Sequence, residues 1–206
     1  MCIRDSPERV IETVHSYGGN VIADVNNVNF ARRCAEMNVD GMALICHGAG
    51  GHTGHLSPFS FTAYVREFFD GLIVLAGSIS TGHHIRAAKS LSADLCYMGT
   101  RFISARESNA IDEYKSMIIN SNYEDLRMTN LFTGAEAYYL KDSILKNNLD
   151  PDNLESNLDG FNVSGSQDKI KAWKDIWSAG QGVGLIKKIE SVESIVAELE
   201  SEFAQG

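Results

Sequence analysis

The sequence predicts an α/β fold built on a parallel sheet, of the (β/α)8-barrel type. Three observations predict it. Short apolar runs centred near Val21, Leu44, Val74 and Cys96 alternate with segments of helical periodicity. These runs are apolar throughout, as strands covered on both faces must be. Three of them end in loops of glycine and hydroxyl residues, at the edge where parallel α/β proteins hold ligands. Units of ~20–30 residues suit a barrel, whose eight units occupy about 250 residues. A doubly wound open sheet is the structural alternative on periodicity alone. Four units are visible in the 206 residues.

Taken in order, Pro7 opens a helix whose Val10, Ile11 and Val14 share a face, and Gly18-Gly19 ends it. The strand Asn20-Val-Ile-Ala-Asp24 follows, then a helix over about Asn29–Asn38 with Phe30, Cys34 and Met37 on one side. The second strand, Met42–Cys46, delivers a loop holding Gly48, Gly50, Gly51 and Gly54. Pro58 restarts a helix through Phe69, and Leu72–Ala76 is the third strand. Ser80-Thr81-Gly82 caps a helix carrying Ile85, Ala88 and Leu91. The fourth strand, Asp94–Met98, runs into Gly99-Thr-Arg-Phe102. Beyond it the spacing predicts helices over 108–120, 134–147 and 170–178, with a polar loop over 148–168. Trp173 and Trp177, four apart, are read as core anchors. Ser191 caps a last helix with Val192, Ile195, Val196 and Leu199 as its apolar stripe.

Composition narrows the function classes. A net charge of −9 argues against nucleic-acid or anionic-membrane surfaces, which need clustered Lys and Arg. No apolar run approaches the ~20 residues of a membrane span. The cysteines Cys2, Cys34, Cys46 and Cys96 show no paired spacing, which reads as reduced thiols and a cytoplasmic location.

The chemistry gathers at the strand ends. Gly50 and Gly51 let backbone N–H groups approach a ligand, and His52 places a group that titrates near neutral pH beside it. Gly77 and Ser78 after the third strand, with Gly99 and Thr100 after the fourth, can surround a phosphate with amides and hydroxyls instead of a basic patch. The plainer reading of His52 is a polar loop residue. His47, His52 and His55 lack a carboxylate partner, so no metal is assigned. Cys46 reads as a buried strand thiol, and His83 and His84 as solvent-facing or supporting residues. Arg101 is left between a phosphate and a neighbouring glutamate. The Gly180–Gly184 loop is equally a simple turn or the means of bringing Gln181 to a ligand.

Several stretches carry a resemblance. Ala49-Gly-Gly-His-Thr-Gly54, Ala76-Gly-Ser-Ile-Ser-Thr-Gly82 and Met98-Gly-Thr-Arg-Phe102 occur in this order. They are followed by Glu107-Ser108, Thr129-Asn-Leu-Phe-Thr-Gly134 and the run from Trp173 to Ile186. Over residues 19–202 the chain resembles the nitronate monooxygenase family, also called 2-nitropropane dioxygenase-like. The resemblance implies FMN as cofactor, bound by Ala49, Gly50, Gly51, Gly77, Ser78, Gly99, Thr100 and Gln181. His52 would be the catalytic base, with a small nitronate as substrate and O2 as electron acceptor. Where Ser78 stands the family usually shows glycine or alanine, though a serine still offers its N–H.

By the same resemblance the visible strands are the fifth to eighth of the barrel. The chain is then expected to be the C-terminal part of a longer protein, with residues 1–6 non-native. Residues 1–121 would be the half-barrel, 122–181 a small, mainly helical domain over the substrate, and 182–206 a segment returning to the barrel. An FMN-dependent enoyl-acyl-carrier-protein reductase using NAD(P)H is the nearest alternative. A phosphate-sugar or nucleotide isomerase without flavin is another. An inactive barrel fragment serving only in binding or assembly is a third, of a different class. Homo-oligomerisation is left open.

Overall fold

The computed structural model describes residues 7–154 and 171–205. The first six residues, Cys2 among them, and residues 155–170 of the expected polar loop and helix start lie outside the described residues.

Four strands form the expected parallel sheet: β1 (Ile22–Val25), β2 (Gly41–Ile45), β4 (Leu72–Ala76) and β5 (Leu95–Tyr97), side by side in that order. The central pair, β2 and β4, is almost wholly buried, which is why their residues are apolar without alternation. The connecting helices are α2 (Val28–Glu36), α3 (Pro58–Arg66) and α4 (Gly82–Ser90), after an opening α1 (Pro7–Ser16). Each connecting helix starts at a residue whose side chain accepts a first-turn N–H. Asn27 accepts from Phe30 at 2.8 Å, Ser57 from Ser60 at 3.4 Å and Thr81 from His84 at 3.2 Å. Their inner faces, Ala31, Cys34, Phe61, Val65 and Ala88, pack on Met42, Leu44, Ile73 and Leu75 of the sheet. Burial pushes the Cys46 thiol up to about 12, so it is a core residue and not a nucleophile.

Among the described residues β1 and β5 have one neighbour each, and Ile22, Leu95 and Tyr97 on these outer strands are exposed. The spacing expectation for strands and helices holds across this half of the chain. No described helix is long and apolar enough to cross a membrane.

After β5 the structure corrects the sequence reading. A four-residue α5 (Thr100–Ile103) leads to α6 (Asp112–Asn120), shorter than the expected helix because Ile111 sits in extended backbone before it. The region expected to be mainly helical contains a hairpin, β6 (Leu126–Thr129) and β7 (Ala137–Leu140), followed by a short α7 (Lys141–Lys146). The hairpin joins β3 (Gly51–His52) in a second, antiparallel sheet ordered β3-β7-β6. Ala137 to Leu140 are buried on both faces, against the Phe132–Ile144 cluster on one side and Trp177 and Val183 on the other. That two-sided burial suits a strand. Residues 171–178, expected as a helix, form tight turns closed by an Ala172–Ile176 bridge, and Trp173 adopts a left-handed φ of 71°. Trp177 is the core anchor expected of it, whereas Trp173 is 43% exposed. The chain ends in α8 (Val192–Ala204), capped by Ser191 and packed on α4, whose Gly82 N–H donates to Glu202 at 2.6 Å.

Asp94, at the mouth of β5, gives this half an acid-sensitive joint. Its carboxylate accepts from Ile73 N–H at 2.8 Å and pairs with Arg66 at 2.8 Å, and these contacts hold its pKa below the usual carboxylate value. A pKa lowered on folding adds stability at pH above the unfolded value of ~3.9, and that increment disappears as pH falls through the folded value. Asp94→Asn is therefore expected to melt at a lower temperature than the wild type at pH 7. The gap should close below about pH 4, and thermal melts across pH 2–7 check it.

Candidate active site at the strand ends

A cleft of about 380 Å3 opens where β2, β4 and β5 end. Six residues expected to hold a cofactor, Ala49, Gly50, Gly77, Ser78, Gly99 and Thr100, line it together with His52. Gly51 lies behind them on β3, beside the Trp173 ring. Gln181 also stands off the lining. Its backbone N–H donates to Gly48 at 3.0 Å and its side-chain amide to the Tyr138 hydroxyl at 2.8 Å, so it ties the loop of 179–182 to the loop of 47–50. Gly180 and Gly182 of the loop read as a turn or a carrier of Gln181 also line the cleft, with Ser80, read as a helix cap, and Ile79 and Tyr97, to which no site role had been given.

The backbone explains why small residues stand here. Gly77 has φ 127°, which side-chain-bearing residues rarely adopt, and Ser78 holds a left-handed φ of 56° despite its Cβ. The N–H groups of Gly77, Ser78, Ile79 and Gly99 donate to no acceptor among the described residues. A Cβ at Gly50 would stand 2.7 Å from Gly180 N and 2.9 Å from Thr100 Oγ1, so the loops abut only because neither glycine carries a side chain. Thr100 Oγ1 accepts from Gly180 N–H at 2.9 Å, leaving its own proton free to donate.

Among the described residues no lysine or arginine lines the cleft. Arg101, beside Thr100, is buried and turned to Glu190 at 3.1 Å and Glu198 at 2.7 Å, which resolves the choice the sequence left open. An anion here would be met by amides and hydroxyls, the donor set that suits a phosphate at the strand ends.

The histidines diverge. His47 meets the Tyr138 hydroxyl at 3.0 Å, His55 faces Glu136 at 3.2 Å, and His52 contacts the Thr133 hydroxyl at 3.1 Å. Among the described residues no group of His, Cys, Asp and Glu converges on a metal. His52 is held at the rim by backbone pairing, since β3 places Gly51 opposite Tyr138 and His52 opposite Ala137. The His52 ring packs edge-on against Trp173 with centroids 5.5 Å apart, and Trp173 stacks on buried Tyr139 at 5.3 Å. Thr133 and Trp173 come from 81 and 121 residues further along the chain (133 − 52 and 173 − 52), so no local pattern points to them.

Comparison with known proteins decides the family, because residues 2–202 match the nitronate monooxygenase model. The chain belongs to the nitronate monooxygenase family. It is similar to a Bacillus subtilis protein named "Probable nitronate monooxygenase", 29% identical over 64% of this chain and 40% of the relative. Among solved structures it superposes on FabK from Thermotoga maritima with a TM-score of 0.73 and 26% identity, covering 97% of this chain and 65% of that one. A nitroalkane oxidase from Streptomyces ansochromogenes superposes with a TM-score of 0.75 at 24% identity, covering 96% and 61%, a likeness of fold. The chain spans about half the length of the curated relatives it matches, 40% of the Bacillus protein and 56% of Rv1533 from Mycobacterium tuberculosis.

Proposed function

We infer that the chain carries the phosphate-binding loops and the proton-abstracting residue of an FMN-dependent nitronate monooxygenase, with alkyl nitronates or their parent nitroalkanes as substrates and O2 as acceptor. The observation that carries this reading is His52 at the rim of a cleft whose floor, among the described residues, presents unpaired backbone N–H groups and no cationic side chain. That floor fits a flavin phosphate. Gly77, Ser78, Gly99 and Thr100 would hold it, and the Thr100 proton is free to donate. Bound there, FMN would supply the electron transfer between substrate and O2.

The rest falls to the protein. His52 stands exposed at the cleft, where an imidazole nitrogen can take the Cα proton of a nitroalkane or hydrogen-bond a nitronate already formed. Trp173 and Thr133 restrict the ring so that it meets substrate in one orientation. Ile45 and Ala76 at the strand ends add apolar surface to the same cleft.

The similarity to FabK favours one second reading, an FMN-dependent enoyl-acyl-carrier-protein reductase that uses NAD(P)H. Anaerobic mixing separates the two. Protein loaded with FMN is expected to lose flavin absorbance on adding ethylnitronate and to keep it on adding NADH or NADPH. Bleaching by a nicotinamide alone would replace the first reading with the second.

A further inference from the structure

We propose that Thr133 is a positioning residue that sets the tautomer of His52, so that Nε2 carries the proton and Nδ1 is the nitrogen left free to act as base. The inference rests on His52 being the proton-abstracting residue. It follows from a count of protons around one hydroxyl. Thr133 Oγ1 has one proton and two lone pairs. Its proton goes to the Ala135 carbonyl, 3.0 Å away, an acceptor that has no proton to give in return. His52 Nε2 lies 3.1 Å from the same oxygen, and with the hydroxyl proton committed this contact is a hydrogen bond only if Nε2–H donates. A neutral imidazole protonated at Nε2 has its lone pair on Nδ1.

The surroundings remove other ways of orienting the ring. The carboxylate just before the paired strand, Glu136, faces His55 at 3.2 Å and makes no hydrogen bond to His52. His52 Nδ1 has no hydrogen-bond partner among the described residues. On the other side Trp173 stands edge-on to the ring, opposing a flip that would put Cε1 in place of Nε2 beside Thr133. Buried Tyr139 has its hydroxyl outside good hydrogen-bonding geometry. Burial raises its pKa, and Thr133 is close enough to draw it partly back. A phenol proton directed at the second lone pair of Thr133 leaves the count unchanged. The turn that holds Thr133 is fixed by Gly134, at φ 78°, whose N–H donates to Asn130 at 2.7 Å.

The experiment reads the tautomer directly and needs no flavin. In the 206-residue chain with 15N-labelled histidine, at a pH where imidazole is neutral, two-bond and three-bond nitrogen–carbon-proton correlations distinguish the two tautomers. The His52 signals are assigned as those lost in His52→Asn. Wild type and Thr133→Ser are expected to show Nε2–H, and Thr133→Val, which keeps the shape and removes the hydroxyl, to show a mixture or Nδ1–H. Wild-type His52 protonated at Nδ1, or an unchanged tautomer in Thr133→Val, overturns the proposal.

A kinetic arm separates this proposal from the reading it rests on. Thr133→Val is expected to lower kcat on nitroethane about tenfold, the scale of one neutral hydrogen bond, with KM little changed and ethylnitronate turnover nearly intact. Thr133→Ser should restore it. If His52→Asn shows no preferential loss on nitroethane, the base assignment fails. If His52→Asn shows that loss and Thr133→Val does not, the tautomer proposal alone fails.

Discussion

His52→Asn is expected to cut turnover of a neutral nitroalkane by ~10²–10⁴, the usual worth of a general base. The chain should still fold and take up FMN. His52 is an exposed residue of a two-residue strand, and its backbone pairing with Ala137 is independent of the ring. The amides proposed to hold the phosphate, those of Gly77, Ser78 and Gly99, belong to other loops. With preformed nitronate the carbon has already lost its proton, so the deficit should shrink to what a lost hydrogen bond costs. Oxygen consumption with nitroethane and with ethylnitronate, under equal FMN loading, measures the ratio. Equal losses on both substrates would remove His52 from the role of base.

The second large effect is loss of cofactor, and two glycines should produce it by different routes. Gly77→Val forces a branched side chain onto φ 127°, with its Cβ 3.0 Å from the His47 carbonyl and 3.1 Å from Cys46. The loop has to move, at a cost of order 1–3 kcal/mol in stability, and the Gly77 and Ser78 amides move with it. Gly99 has an ordinary φ of −87°, and a Cβ there meets nothing within 4 Å. Valine at that position strains nothing and instead projects where ligand would lie. Both variants should bind FMN at least tenfold more weakly in fluorescence titration, roughly 1.4 kcal/mol or more. Only Gly77→Val should also melt earlier. Wild-type affinity in Gly99→Val would put the phosphate elsewhere.

The legible part of the fold was the part whose determinants are local. The central strands of the parallel sheet are uninterrupted apolar runs, and each connecting helix opens on a residue able to cap it, such as Asn27, Ser57 or Thr81. The glycine loops were readable for the same reason, since a turn conformation or a close backbone approach leaves its mark on the residues that make it. The hairpin of 126–140 was not readable. Leu126–Thr129 and Ala137–Leu140 become strands through pairing with each other and, across 85 positions (137 − 52), with His52. Buried on both faces, Ala137–Leu140 has no alternation to set it apart from a helix. Residues 171–178 misled in the same way, because Trp173 and Trp177 stand at helical spacing but are held by turns and a left-handed residue.

By itself, then, the sequence determined the β/α order, the family and the loops that meet at the strand ends. Those properties are written in runs of adjacent residues, where periodicity and glycine placement act over a few positions. Only the tertiary structure decided which residues surround His52, where Arg101 turns and what Gln181 holds. Each depends on a partner far along the chain: Thr133 and Trp173 for the histidine, Glu190 and Glu198 for the arginine, Tyr138 for the glutamine. A hydrogen bond or ring contact acts over a few ångströms of space whatever the separation in sequence, so the residues that orient the candidate base are found only once the two sheets are brought together.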